Sequence, residues 1–200
     1  MIVVYTNYDN VTAILEGFAR ELVKLAGSMV SHDLGPPSGS VSTNVHTHLG
    51  NSNDPLFFFG HGLLTQSALI AQDQKAAIDA SNDKLLRDRV VYAACCDGIA
   101  ILANAVNAHN TTVIGYGGKL RVPLLNRYKR LMEHCVLSGA KTLINGQITR
   151  DARDGLERAF RGAAQQLIAT GRVADAVVGV RVFDANATIA ALAGDPNRTI

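Results

Sequence analysis

An α/β fold, with helices covering both faces of a mostly parallel central sheet, is predicted by three observations. Two short runs, Leu56–Phe59 and Val90–Ala94, are apolar at every position and stop at Gly60-His61-Gly62 and Cys95-Cys96-Asp97-Gly98. Strands that are apolar on both sides belong to parallel sheets with both faces covered. The third observation is that such runs alternate with stretches of helical spacing, which right-handed crossovers wind into one sheet.

The elements follow in order. Ile2–Tyr5 is a β-branched run that predicts a strand, and residues 7–10 supply turn and cap residues. Val11, Ile14, Leu15, Phe18, Leu22 and Leu25 recur with a helix period, so residues 11–26 should form an amphipathic helix ending near Gly27. Residues 34–40, rich in Gly, Pro and Ser, read as a loop. Over 41–48, Val41, Thr43, Val45 and Thr47 alternate with Ser42, Asn44, His46 and His48, the period of a partly exposed or edge strand. Residues 65–88 mix apolar pairs with charges and predict a crossover containing at least one helix. An Ala-rich helix over 99–108 precedes a buried strand over 111–114, closed by Gly115-Tyr116-Gly117-Gly118. Behind Pro123, Leu124, Leu125, Tyr128, Leu131, Met132, Cys135 and Val136 keep helical spacing, and a further helix runs from about 154 to 169. Residues 172–193 are ambiguous, since Val177, Val178, Val180 and Val182 favour a strand and the alanines a helix.

Composition narrows the function classes. A chain of 200 residues predicts a single domain over 1–200, and 48% hydrophobic residues supply a core that excludes disorder. A net charge of +2 lacks the electrostatic footprint of a dedicated nucleic-acid or membrane-surface binder. Three cysteines, two of them adjacent, make no disulfide framework, which predicts a reducing, cytoplasmic setting with free thiols. No basic leader opens the sequence, and no uncharged apolar stretch approaches the ~20 residues that span a bilayer.

Loops at the carboxyl ends of strands line the ligand crevice of such sheets. His61 and Cys95 both sit at such ends, and neighbouring strands lie only ~4.8 Å apart. A thiol and an imidazole at that range can act as nucleophile and base in acyl transfer. Asn53, Asp54 or a backbone carbonyl could orient the imidazole. Adjacent strand residues point to opposite sides, so Cys95 and Cys96 cannot both face His61. His46 and His48 on one strand face could hold zinc with His61 or a cysteine, but that spacing is common by chance and no further ligand cluster is visible. Lys119, Arg121, Arg127, Lys129 and Arg130 read as a solvated helix face, and residues 115–118 lack the spacing of a phosphate-binding loop.

The two strand endings together resemble the signature of the caspase-like cysteine peptidases (clan CD), an apolar block before His-Gly and a second before Ala-Cys. Here these are Leu56-Phe57-Phe58-Phe59-Gly60-His61-Gly62 and Val90-Val91-Tyr92-Ala93-Ala94-Cys95. The bacterial CHAT-domain proteases are the most similar branch, through Ala93-Ala94-Cys95-Cys96-Asp97-Gly98 and Val113-Ile114-Gly115, and the resemblance covers residues 54–118. It implies a caspase-hemoglobinase three-layer sandwich and a cysteine endopeptidase working with a Cys-His dyad, which demands no Asp or Asn partner; no cofactor or metal ligand set is expected. His61 would be the base and Cys95, directly after Ala94, the nucleophile. The amides of Gly62 and Cys95 would form the oxyanion hole. Asp97, Tyr116, Lys119 and Arg121 would be the candidates for the S1 pocket, which leaves the sign of the preferred P1 charge open. Cys96 departs from the commonest CHAT pattern, and would be a structural thiol or a redox partner.

The resemblance further implies regulated proteolysis of a specific protein, a gasdermin-like pore former or another dedicated target, in bacterial signalling or defence. A catalytic unit of this type would fill the 200 residues, so control is expected from a separate regulatory polypeptide, dimerisation or substrate access. Nucleic acid and membrane insertion are not expected. The competing readings are a catalytically inactive caspase-like interaction or redox-sensing module, and a different cysteine hydrolase, such as an amidase, on a doubly wound sheet.

Overall fold

The computed structural model describes residues 1–170 and 173–200, and side chains outside 171–176. Among the described residues, Ile2–Tyr5 (β1), His32–Leu34 (β2), Leu56–Phe59 (β3), Val90–Ala94 (β7), Thr112–Tyr116 (β8) and Ala190–Ala193 (β9) form a mixed sheet in the order β2-β1-β3-β7-β8-β9. The first five run parallel, and β9 closes one edge antiparallel to β8. His61–Leu63 (β4), Ala68–Ile70 (β5) and Ala76–Ile78 (β6) form a separate antiparallel sheet.

Alternation along the strands divides the core into two. Val3, Tyr5, Phe57, Phe59, Tyr92, Ala94, Ile114 and Tyr116 face Asn10–Ala26 (α1), Asn126–Ile144 (α5), Thr149–Ala169 (α6) and Val173–Ile189 (α7). Ile2, Val4, Leu56, Phe58, Val91, Ala93 and Val113 face Ser42–Asn51 (α2), Gly98–Ile101 (α3), Ala103–His109 (α4) and the small sheet. Helices thus cover both faces of a mostly parallel sheet, as the apolar runs predict. No helix among the described residues is long and apolar enough to cross a membrane.

Several elements differ from expectation. Residues 41–48 do not form an edge strand, because most of them belong to α2, where Val45 and Leu49, four apart, turn one buried stripe to the sheet. The His46-Thr47-His48 pair therefore is not on a strand face. His46 Nε2 donates to the Ala77 carbonyl at 2.8 Å and the His48 ring packs on His32 at 4.2 Å between centroids. The crossover over 65–88 holds β5, β6 and a 3₁₀ turn at Asp83–Leu86 in place of an α-helix. Its apolar runs are three residues long and separated by a tight turn in which Ala71 N–H bonds the Lys75 carbonyl, a hairpin pattern. The Ala-rich helix is broken at Leu102 into α3 and α4. The ambiguous 172–193 segment contains both outcomes, α7 and then β9, with residue 172 outside the described residues.

Candidate active site

The carboxyl ends of β1, β3, β7 and β8 lie side by side at one edge of the sheet, and the residues leaving them form the crevice. Leaving β1, Asp9 is the N-cap of α1: its Oδ1 accepts from Thr12 N–H at 2.8 Å, and its own N–H donates to Thr12 Oγ1 at 3.0 Å. The second oxygen of this carboxylate is turned to the next strand end. His61 Nε2 lies 2.6 Å from Asp9 Oδ2. A carboxylate can only accept, so Nε2 carries the hydrogen, and in the neutral imidazole Nδ1 is the nitrogen that can act as a base. Burial alone would raise the Asp9 carboxyl, but the hydrogen bonds from Thr12 and His61 outweigh it and hold its pKa below the ordinary value. The Tyr8 ring supports the imidazole from the side, 5.4 Å between centroids.

Asn53 and Asp54 cannot orient His61, because they precede β3 and so lie at the opposite edge of the sheet. Asp54 there accepts from Ser31 Oγ at 2.5 Å. Asp9 is the partner that sequence reasoning missed. Its Asx-type cap was legible in residues 7–10; the pairing of β1 with β3, which brings Asp9 to His61, was not.

The two thiols diverge as alternation requires. Cys95 follows Ala93 onto the α3 face, is 1% exposed, and packs with Ile101 and Leu102. A Cβ on Gly98 would stand only 3.2 Å from its sulfur. Burial, and then Cys96 and Asp97, push this thiol far up, so it resists ionisation. Cys96 instead packs on the α1 face, with Phe57 and Phe59. Cys95, expected to face His61, is buried on the α3 face, while Cys96 lies on the face of α1, the helix whose N-cap Asp9 holds His61. The β3–β7 ladder ends with Phe59 opposite Ala94, so His61 and Cys96 both lie just beyond the ends of adjacent parallel strands. Cys96 is partly exposed, and its thiol donates to the Leu120 carbonyl at 3.8 Å. Burial raises its pKa, Asp97 adds to this, and Lys119 opposes it.

Gly62 joins the two strand ends, since a Cβ there would collide with the Cys96 carbonyl oxygen. No family model matches this chain, and no curated protein or solved structure is significantly similar to it. The arrangement of the residues themselves therefore carries the functional argument.

Of the S1 candidates, Tyr116 is displaced: it is fully buried on β8, edge-on to Phe160, and cannot line a pocket. Asp97 sits in a left-handed conformation at φ 54° before α3, its N–H donating to the Gly118 carbonyl at 2.8 Å. That bond holds the loop after β8 against the Cys96-Asp97 peptide. Lys119 and Arg121 are exposed on the same loop, whose backbone at Arg121 is gripped on both sides by the buried Asn186 amide, at 2.9 Å each. These two precede α5, so the basic run is not one helix face; Lys129 and Arg130 are exposed on α5 itself.

Proposed function

We propose that this chain is a caspase-like cysteine endopeptidase in which Cys96 is the nucleophile, His61 the general base and Asp9 the group that orients the imidazole. The observation that carries this reading is that His61, bonded to the α1 cap Asp9, and Cys96, on the α1 face, leave adjacent parallel strands. The strand order, the small antiparallel sheet after His61 and the fit of only glycine at position 62 support it. The residues at the strand ends also resemble the caspase-like signature, read with the nucleophile one position later.

In this mechanism the thiol leaves the Leu120 carbonyl and gives its proton to His61 Nδ1 as sulfur attacks the scissile carbonyl carbon. Asp9 stabilises the imidazolium formed. The carbonyl oxygen becomes an oxyanion, for which this reading assigns the N–H groups of Gly62 and Cys96 as donors, in place of those of Gly62 and Cys95. The imidazolium then protonates the departing amine nitrogen, the C–N bond breaks, and water activated by His61 hydrolyses the thioester. Regulated cleavage of a dedicated protein, as in bacterial signalling or defence, is the setting this reading favours.

The inactive interaction or redox-sensing module is the second reading, favoured by the contact that holds Cys96 to Leu120 and by a thiol that is not pre-ionised. A peptidyl acyloxymethylketone separates the two. Mass mapping should find the label on Cys96, retained in Cys95→Ala and lost in Cys96→Ala and His61→Ala. A label on Cys95, or labelling indifferent to His61, overturns the assignment.

A further inference from the structure

A cleft of about 300 Å³ lies beside His61, lined by Tyr8, His61, Leu63, Gln66, Ile70 and Gln74. None of its lining comes from β7 or the loop after β8; it is built from the β1 exit and the small sheet. Its walls are preformed. The backbone of Asn7, leaving β1, is clamped twice by the Gln72 amide, Asn7 N–H to Oε1 at 2.6 Å and Nε2–H to the Asn7 carbonyl at 3.1 Å, tying the β1 exit to the β5–β6 turn. Ile70 forms a buried floor, and Leu63 an exposed rim. Burial pushes the Tyr8 hydroxyl up to about 12, so it stays neutral. Apart from His61, every lining side chain is uncharged.

The proposed hydrolase gives this cleft a direction. A base that protonates the leaving amine must stand on the leaving-group side of the scissile bond, with the nucleophile on the acyl side. Strand order then sets the polarity of a bound peptide, because β1 and the small sheet flank His61 while the loop after β8 flanks Cys96. Charged Asp97, Lys119 and Arg121 belong to the acyl side, and the neutral cleft to the other.

We infer that the cleft of Tyr8, Leu63, Gln66, Ile70 and Gln74 binds the first side chain after the scissile bond and selects an uncharged one, apolar or amide. Burying an unpaired charge against Ile70 and Leu63 is unfavourable, and the Gln66 and Gln74 amides can satisfy an amide side chain but not neutralise an ion. The inference rests on the hydrolase reading.

The test is cleavage by the full chain of a synthetic peptide library randomised at every position, with new N-termini read by mass spectrometry. Uncharged residues are expected at the first leaving-side position in preference to Asp, Glu, Lys and Arg by roughly tenfold or more. Leu63→Lys, an exposed rim substitution, should move that preference toward Asp and Glu by about tenfold. Equal use of charged residues there, or a Leu63→Lys change confined to the acyl side, overturns the inference while the hydrolase stands. Absence of both cleavage and label overturns the hydrolase reading and this inference with it.

Discussion

The two faces of the central sheet are stabilised differently. On one, four helices bury Phe18, Phe57, Phe59, Tyr92, Phe160 and Phe183 in a continuous aromatic core. Stacking of Phe57 on Tyr92 and the edge contact of Tyr116 with Phe160 are typical of it. On the other face the helices are short, and short helices leave most of their terminal carbonyls without partners inside the helix. Buried polar side chains supply those partners. The Arg89 guanidinium, 2% exposed, donates to the carbonyls of Leu49, Ser52, Asp54 and Leu85, closing the C-terminal end of α2 against the start of β3. Asp83 likewise accepts from Asn104 and His109 to hold α4. Apolar area dominates one face, and satisfaction of backbone groups the other.

The largest expected effect tests the first half of this contrast. Phe160→Ala should lower unfolding free energy by about 4 kcal/mol in urea titration, through lost burial and the void left behind. Arg89→Met tests the second half, since it keeps bulk and removes the donors: about 3 kcal/mol is expected from the stranded carbonyls. A near-neutral Arg89→Met would mean that area governs both faces alike.

Between the two faces sits the crevice, where Asp9 has a double role. Asparagine preserves the helix cap but not the charge beside the imidazole, so Asp9→Asn should leave stability within about 1 kcal/mol. It should lower kcat/KM roughly tenfold to a hundredfold, less than for a fully buried triad carboxylate because Asp9 is partly exposed. A loss of stability with unchanged kcat/KM would reduce Asp9 to a cap.

The smallest effect distinguishes the thiols. Cys95 and Cys135 lie on opposite faces, both raised by burial, the latter to about 12. They stay protonated in the folded chain while the unfolded chain ionises from about pH 8.5. Their contribution is therefore complete below that pH and is lost as pH rises toward the folded values. Denaturation at pH 8 and 9.5 should show a fall on the order of 1 kcal/mol per buried thiol, reduced in Cys95→Ala and Cys135→Ala. An unchanged slope in both variants would refute their burial.

Legibility followed the same division. Helices α1, α5 and α6 carry long periodic stripes; α1 agrees to within a residue, whereas α6 starts five residues earlier, at Thr149, and α5 runs eight residues past Val136, to Ile144. The misread segments, 41–48 and 65–88, both cover the second face, where Val45 and Leu49 are the only buried apolar pair of α2 and the bonds of Arg89, Asp73 and His46 do the rest. Such bonds join residues some 30 positions apart or more, as Ser42 to Asp73, and leave no periodic trace.

By itself the sequence determined that apolar strands end in His61-Gly62 and in a Cys95-Cys96 pair, because runs buried on both sides must be apolar throughout. Which thiol takes the α1 face, and that Asp9 stands behind His61, was decided only by tertiary structure. Strand pairing sets the register between Phe59 and Ala94 and places β1 beside β3, and a one-residue difference in register exchanges the faces of Cys95 and Cys96.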